Sequence, residues 1–252
     1  MKQLVKALSL VTLVVFSSSG IAGGMGATTP YYINVGLGFT KSSSDDTHQV
    51  NNGSGFPGTA SYDLYSMSSI QKSPGLMIEA GQRWETAKEW LTAYSLGLRY
   101  QHIFNQTVKG QVNQYMLPGF INYDYRFHLS NDNLQVMGKI DLFNFHQFMP
   151  YASAGLGMVI NHTSGYTELP LSVTPRVSPG FSSTNEAHFI YSLGTGVDFV
   201  HQDAMVSVGY EYQQLGQVVT GSGAGSWSGQ QLRFSNLSSH NVLLQLGLLF
   251  DR

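Results

Sequence analysis

No cysteine occurs anywhere in the chain, which excludes structural disulfides and thiolate metal sites. Charge is scarce as well. Asp, Glu, Lys and Arg together make up 11% of the residues, about half the share of a typical soluble domain. The 13 basic and 15 acidic residues nearly cancel, so nothing points to nucleic acid as a partner. Long apolar runs are also missing. Beyond the stretch Ala7–Phe16, nothing approaches the roughly 18 uninterrupted apolar residues of a spanning helix. The histidines are scattered singly, and no H-E-x-x-H, G-x-S-x-G or phosphate loop occurs. The sequence therefore offers no metal site, no cofactor-binding site and no catalytic residue.

What the chain has instead is alternation. In Tyr31–Thr40, Ile33, Val35, Leu37 and Phe39 are opposed by Asn34, Gly36, Gly38 and Thr40. In Asn241–Phe250, Val242, Leu244, Leu246, Leu248 and Phe250 form one face. A period of two marks a strand whose faces meet different surroundings. Segments of about ten residues with one apolar face, separated by turn residues, are the mark of a transmembrane β-barrel. Such a wall has lipid outside and can do without surface charge. The 28 glycines, 14 tyrosines and 14 phenylalanines fit the same architecture. At the N-terminus, Lys2 and Lys6 precede the apolar stretch, and small residues follow up to Ala22. Residues 1–22 are expected to be a cleaved secretory signal peptide, leaving 23–252 as an outer-membrane β-barrel domain.

Candidate strands fall near 31–41, 75–84, 91–104, 114–127, 134–142, 150–161, 187–200, 204–215 and 240–250. That is an odd number, whereas single-chain bacterial barrels have even ones. Short connections lie at Glu85–Glu89, near Asn144–Met149 and at His201–Asp203. Long, Gly/Ser/Asn-rich ones lie at 42–74, 162–186 and 216–237. Short and long alternate if 105–133 is a fourth external excursion, with 114–127 a hairpin extension outside the membrane. Tyr123, Tyr125 and Phe127 occupy odd positions, whereas Leu134, Val136, Ile140 and Leu142 occupy even ones. A slip of one residue is therefore expected near Ser130–Asn133. The predicted fold is all-β: an antiparallel up-and-down transmembrane barrel of eight strands, or ten if 114–127 spans.

The charges within the strands share the phase of the inner face: Glu79, Arg83, Arg99, Lys139, Asp141, Asp198 and Glu211. Unpaired buried charge is expensive, so a lumen ion-pair network is expected, with Arg83 opposite Asp198 and Arg99 opposite Glu211. Aromatics near the strand ends predict two girdles, with Tyr31, Trp84, Trp90, Phe199 and Phe250 toward the periplasmic side and Tyr100, Tyr210 and Tyr212 toward the cell exterior. Phe56, Tyr62, Tyr65 and Trp227 are the candidate loop contacts.

The run Met149-Pro150-Tyr151-Ala152-Ser153-Ala154-Gly155-Leu156-Gly157 resembles the PY-x-x-x-G-x-G strand of opacity-like outer-membrane β-barrel proteins. Phe189–Asp198 and Val208–Tyr212 look like the two strands that follow it. The resemblance implies an eight-stranded surface antigen or adhesin of the outer membrane, inserted by the outer-membrane assembly machinery. Outer-membrane lipids and lipopolysaccharide would surround it, and a host or envelope partner would meet its loops. Members usually end on an aromatic residue, whereas Asp251 and Arg252 follow Phe250 here. Two rival functions are a narrow pore or transporter for small hydrophobic molecules and a lipid A 3-O-deacylase. The latter rests on His128-Leu129-Ser130-Asn131, which resembles that family's H-x-S-N segment but lacks the expected glutamate downstream.

Overall fold

The computed structural model describes residues 31–44, 47–55, 57–117, 120–171 and 176–250. The expected signal peptide and Phe56 lie outside them. Ten strands run in chain order: β1 (Tyr31–Ser43), β2 (Thr47–Asn51), β3 (Tyr62–Ile70), β4 (Ser73–Lys88) and β5 (Leu91–Asn113). They are followed by β6 (Ile121–Asp141), β7 (Phe148–Pro170), β8 (Thr184–His201), β9 (Ala204–Val219) and β10 (Arg233–Phe250). All pairings are antiparallel. The wall runs β1-β4-β5-β6-β7-β8-β9-β10 and closes where β10 pairs with β1, giving a ring of 8 strands. Closure leaves no free strand in the lower part of the ring.

β2 and β3 add height rather than circumference. Thr40 lies opposite Ser73 and Thr47 opposite Ser66, so β1–β2 and β3–β4 share one register across their breaks. β3 then pairs with the upper part of β5 at Leu64–Ile70. The expected loop at 42–74 is thus largely barrel wall.

Strand length explains the extra height. A tilted strand crosses a membrane in about 9–11 residues, whereas β5 and β7 each have 23 and β6 has 21. About half of each therefore rises beyond the bilayer. The expected excursion at 105–133 is this extension: β5 and β6 continue as one ribbon, paired as far as Asn113 and Ile121.

The expected phase slip in β6 does not occur. Tyr123, Tyr125, Phe127, Leu129, Asn131, Asn133, Gln135, Met137 and Asp141 are all buried, on a single inward face. What changes along β6 is the environment outside it. In the lower half the exterior meets lipid and is apolar; in the upper half it meets water and the interior becomes apolar. The register irregularities sit beside β6 instead, between Ile103 and Gln106 on β5 and opposite Arg126–His128 on β7.

Candidate functional site: a two-level lumen

The lower wall presents an apolar surface. Val35, Leu37, Leu76, Ile78, Leu96, Val136, Ile140, Leu156, Leu193, Val208, Leu244 and Leu246 all stand exposed outward. Two aromatic belts bound this band. Below, Tyr31 stacks on Phe250 with centroids 6.3 Å apart, Trp84 on Tyr94 at 5.2 Å, and Phe148 meets Phe199 at 5.3 Å. Above, Tyr191, Tyr210, Tyr212 and His240 form a second cluster, and Tyr100 donates to Asp132 at 2.6 Å. Behind this apolar wall the strands bury Glu79, Arg83, Arg99, Asp141, Asp198 and Glu211. An apolar exterior, a charged interior and two aromatic belts on a closed eight-stranded ring fit one solvent arrangement. It is an outer-membrane β-barrel.

The barrel's lumen is filled in layers. At the bottom Arg83 pairs with Asp141 and Lys139 with Asp198, while the Lys139 ammonium stands 4.6 Å from the centre of the Tyr151 ring. Arg83 and Asp198 do not pair, contrary to the sequence expectation. Asp141 on β6 is only two strands from β4 along the wall, and Lys139 already holds Asp198.

The next layer centres on Arg99. Its Nε donates to Glu79 at 2.6 Å and its Nη1 to Glu211 at 2.5 Å. Glu79 also accepts from the Tyr32 hydroxyl at 2.7 Å. Glu211 accepts from Gln213 at 2.7 Å, and Gln213 donates to Gln101 at 2.7 Å. Above these, Asn131 donates to Asn161 at 2.7 Å, and Asn161 donates to the backbone carbonyls of Leu215 and Gln217 at 3.0 and 2.6 Å.

Two inner glycines make room for rings that lie flat on the wall. A Cβ at Gly97 would stand 2.3 Å from the Tyr32 hydroxyl, and one at Gly209 would stand 2.0 Å from that of Tyr151. A gap among Glu79, Arg99, Lys139 and Tyr151 measures about 10 Å³, room for about one water and no more.

The upper level is built like the inside of a soluble protein. Tyr65, Tyr125, Phe127, Phe181, Leu215 and Phe234 form its centre, all buried. Tyr125 stacks on Phe127, Tyr166 and Phe234 at 6.1–6.4 Å. Of the candidate loop contacts, only Tyr62 is exposed among the described residues. Tyr65 is fully buried and Trp227 is 6% exposed, because the segments that carry them are wall and roof rather than free loop.

Arg176, which sequence reading did not single out, locks the roof. It pairs with Glu168 at 2.7 Å and Asp63 at 3.3 Å. It also donates to the Tyr65 hydroxyl at 3.2 Å and lies over the rings of Tyr123 and Trp227 at 4.5 and 5.1 Å. Burial works against its charge, but Tyr65, Glu168 and Asp63 outweigh burial and raise its pKa. Burial and neighbouring Glu168 push the Tyr65 hydroxyl above its ordinary value. No local motif surrounds Arg176; only the tertiary structure brings these partners together.

One ladder parts. β8 and β9 stay paired only up to Tyr191–Gln214. Above this, β9 turns inward at Gly216, where φ is +78°, and its carbonyls are taken by Asn161 and Thr163 of β7. The His188 side chain covers the turn, 2.7 Å from where a Gly216 Cβ would stand.

No protein-family model and no curated protein matches the barrel. Among solved structures it is similar to Neisserial surface protein A, at 13% identity over 86% of this chain and 96% of that one, with a TM-score of 0.45. It is also similar to the outer membrane protein OprG from Pseudomonas aeruginosa (15% identity, 91% and 99% covered, TM-score 0.46). A third is Ail, the attachment invasion locus protein of Yersinia pestis (12% identity, 89% and 100% covered, TM-score 0.38). The membrane placement of this barrel stands on its own wall.

Proposed function

We propose that the barrel is a non-enzymatic surface protein of the antigen or adhesin type, whose raised upper half acts as a rigid platform for binding. The observation that carries this reading is the filling of the interior at both levels, by ion pairs within the membrane and by an aromatic core outside it. A pore needs a continuous wet path, and the gap among Glu79, Arg99, Lys139 and Tyr151 has room for about one water. An enzyme needs its groups on one side of the wall. His128 and Ser130 face outward on β6, whereas Asp141 is buried in the lumen against Arg83, so no proton relay joins them.

The refolded protein in planar bilayers should give no steady conductance, while cells that display it should gain adherence to host cells or matrix. Discrete, long-lived channels without any gain of adherence would overturn the reading. One observation favours transport of small hydrophobic molecules: the β8–β9 ladder parts above Tyr191–Gln214. Uptake of such solutes, measured in the same cells, separates the two.

A further inference from the structure

We propose that strands β1, β4 and β10 carry an outward-facing site for a phosphorylated, acylated glycolipid of the outer leaflet. The apolar half of this site is a groove of about 450 Å³ in the wall, lined by Val35, Leu37, Leu76, Ile78, Tyr100 and Leu246. Nothing in the lipid band except acyl chains is available to fill such a groove. The outward columns that line it then run upward past Phe39, Pro74 and Val242, and each ends on a basic residue. On β1 this is Lys41, on the approach to β4 it is Lys72, and on β10 it is His240; all three are exposed.

These residues are neighbours across the strands. Lys41 lies opposite His240, and the register that sets Thr40 against Ser73 puts Lys72 beside Lys41. Like charges facing across a pair of strands destabilise the sheet, unless an anion sits between them. No acid among the described residues pairs with either lysine. His240 Nδ1 and the Tyr210 hydroxyl share a hydrogen bond at 2.5 Å; with Tyr210 as its donor, Nε2 carries the ring proton and is the donor left for an anion.

The height is right for a phosphate. From the Tyr31 belt to Lys41 is about 34 Å along the strand, or about 25 Å of depth at the usual tilt, which matches the apolar band of an outer-membrane barrel. On β6 the acid Asp132 is already engaged by Tyr100, His102 and His162, so it does not compete for the lysines. The site rests on the membrane placement of the barrel and is independent of the adhesin reading.

Thermal unfolding of the purified barrel in detergent, with rising diphosphoryl lipid A, tests the assignment. The half-saturating concentration should be at least tenfold lower than for the same lipid stripped of its phosphates. Lys41→Gln/Lys72→Gln should erase that preference, and Lys41→Arg/Lys72→Arg should keep it. Lys109→Gln/Arg126→Gln, a cross-strand basic pair farther from the lipid, should change nothing. If the double Gln variant fails to insert, each single Gln variant should still weaken the preference severalfold. Equal response to both lipids, an unaltered response in the Gln variants, or an equal effect of phosphatidylglycerol would overturn the proposal. Adhesion by the displayed protein is unaffected by any of these results.

Discussion

Arg99 holds two carboxylates from different sides of the barrel at once, and neither Glu79 nor Glu211 has a second cationic partner within 4.0 Å among the described residues. All three side chains are at most 6% exposed. Removing the guanidinium strands two buried charges, so Arg99→Ala should cost at least the roughly 3–5 kcal/mol of a broken buried pair. Glu211→Ala should cost less, because Arg99 keeps Glu79. Urea unfolding in detergent of both variants and the double mutant checks this: the double mutant should cost clearly less than the sum, and strict additivity would mean the contact carries no coupling. The residue types of this network were legible in the sequence, since inward phase and charge coincide at each of them. The pairing at Arg83 was not. Which residues meet inside a barrel depends on the stagger between strands, and alternation along a single strand does not reveal stagger.

β6 shows why alternation is readable and its meaning is not. From Tyr123 to Asp141 the odd positions face inward without interruption, yet the apolar residues switch from odd to even part-way along. Alternation tells two faces apart, but it does not tell which face meets water. An unbroken strand that leaves the membrane imitates a one-residue slip in its hydrophobic pattern. The absence of native cysteine makes a direct test simple. Single variants Arg126→Cys and His128→Cys should react with a charged thiol reagent on intact cells, whereas Phe127→Cys and Leu129→Cys should stay protected. A slip in the strand would give the opposite pattern on one side of Asn131. The same ambiguity explains Tyr65 and Trp227, which lie in Gly/Ser-rich stretches that read as free loop but fold into wall and roof.

At the scale of the molecule, two cores of opposite construction share one set of strands, and Arg176 fastens the upper one shut. Its side chain is 12% exposed and bound by Glu168 and Asp63, so Arg176→Ala should destabilise the upper half by about 3 kcal/mol. Limited proteolysis should then cut near 176–183 faster, while the heat-modified mobility of the lower barrel stays as in the wild type. A loss of both together would mean that the halves unfold as one unit. The two cores also fix how deep the protein floats. Raised by one turn of the pleat, the wall would bring Phe39 and Val242 into water; lowered by the same amount, it would drag Lys41 and Asp132 into hydrocarbon. The polarity of the exterior changes within a few residues on neighbouring strands, so this barrel has little freedom to slide along the membrane normal. In a bilayer thinner or thicker than its band it is therefore the lipids that must stretch or compress around it, and patches of such barrels would tend to collect where the membrane already has their thickness.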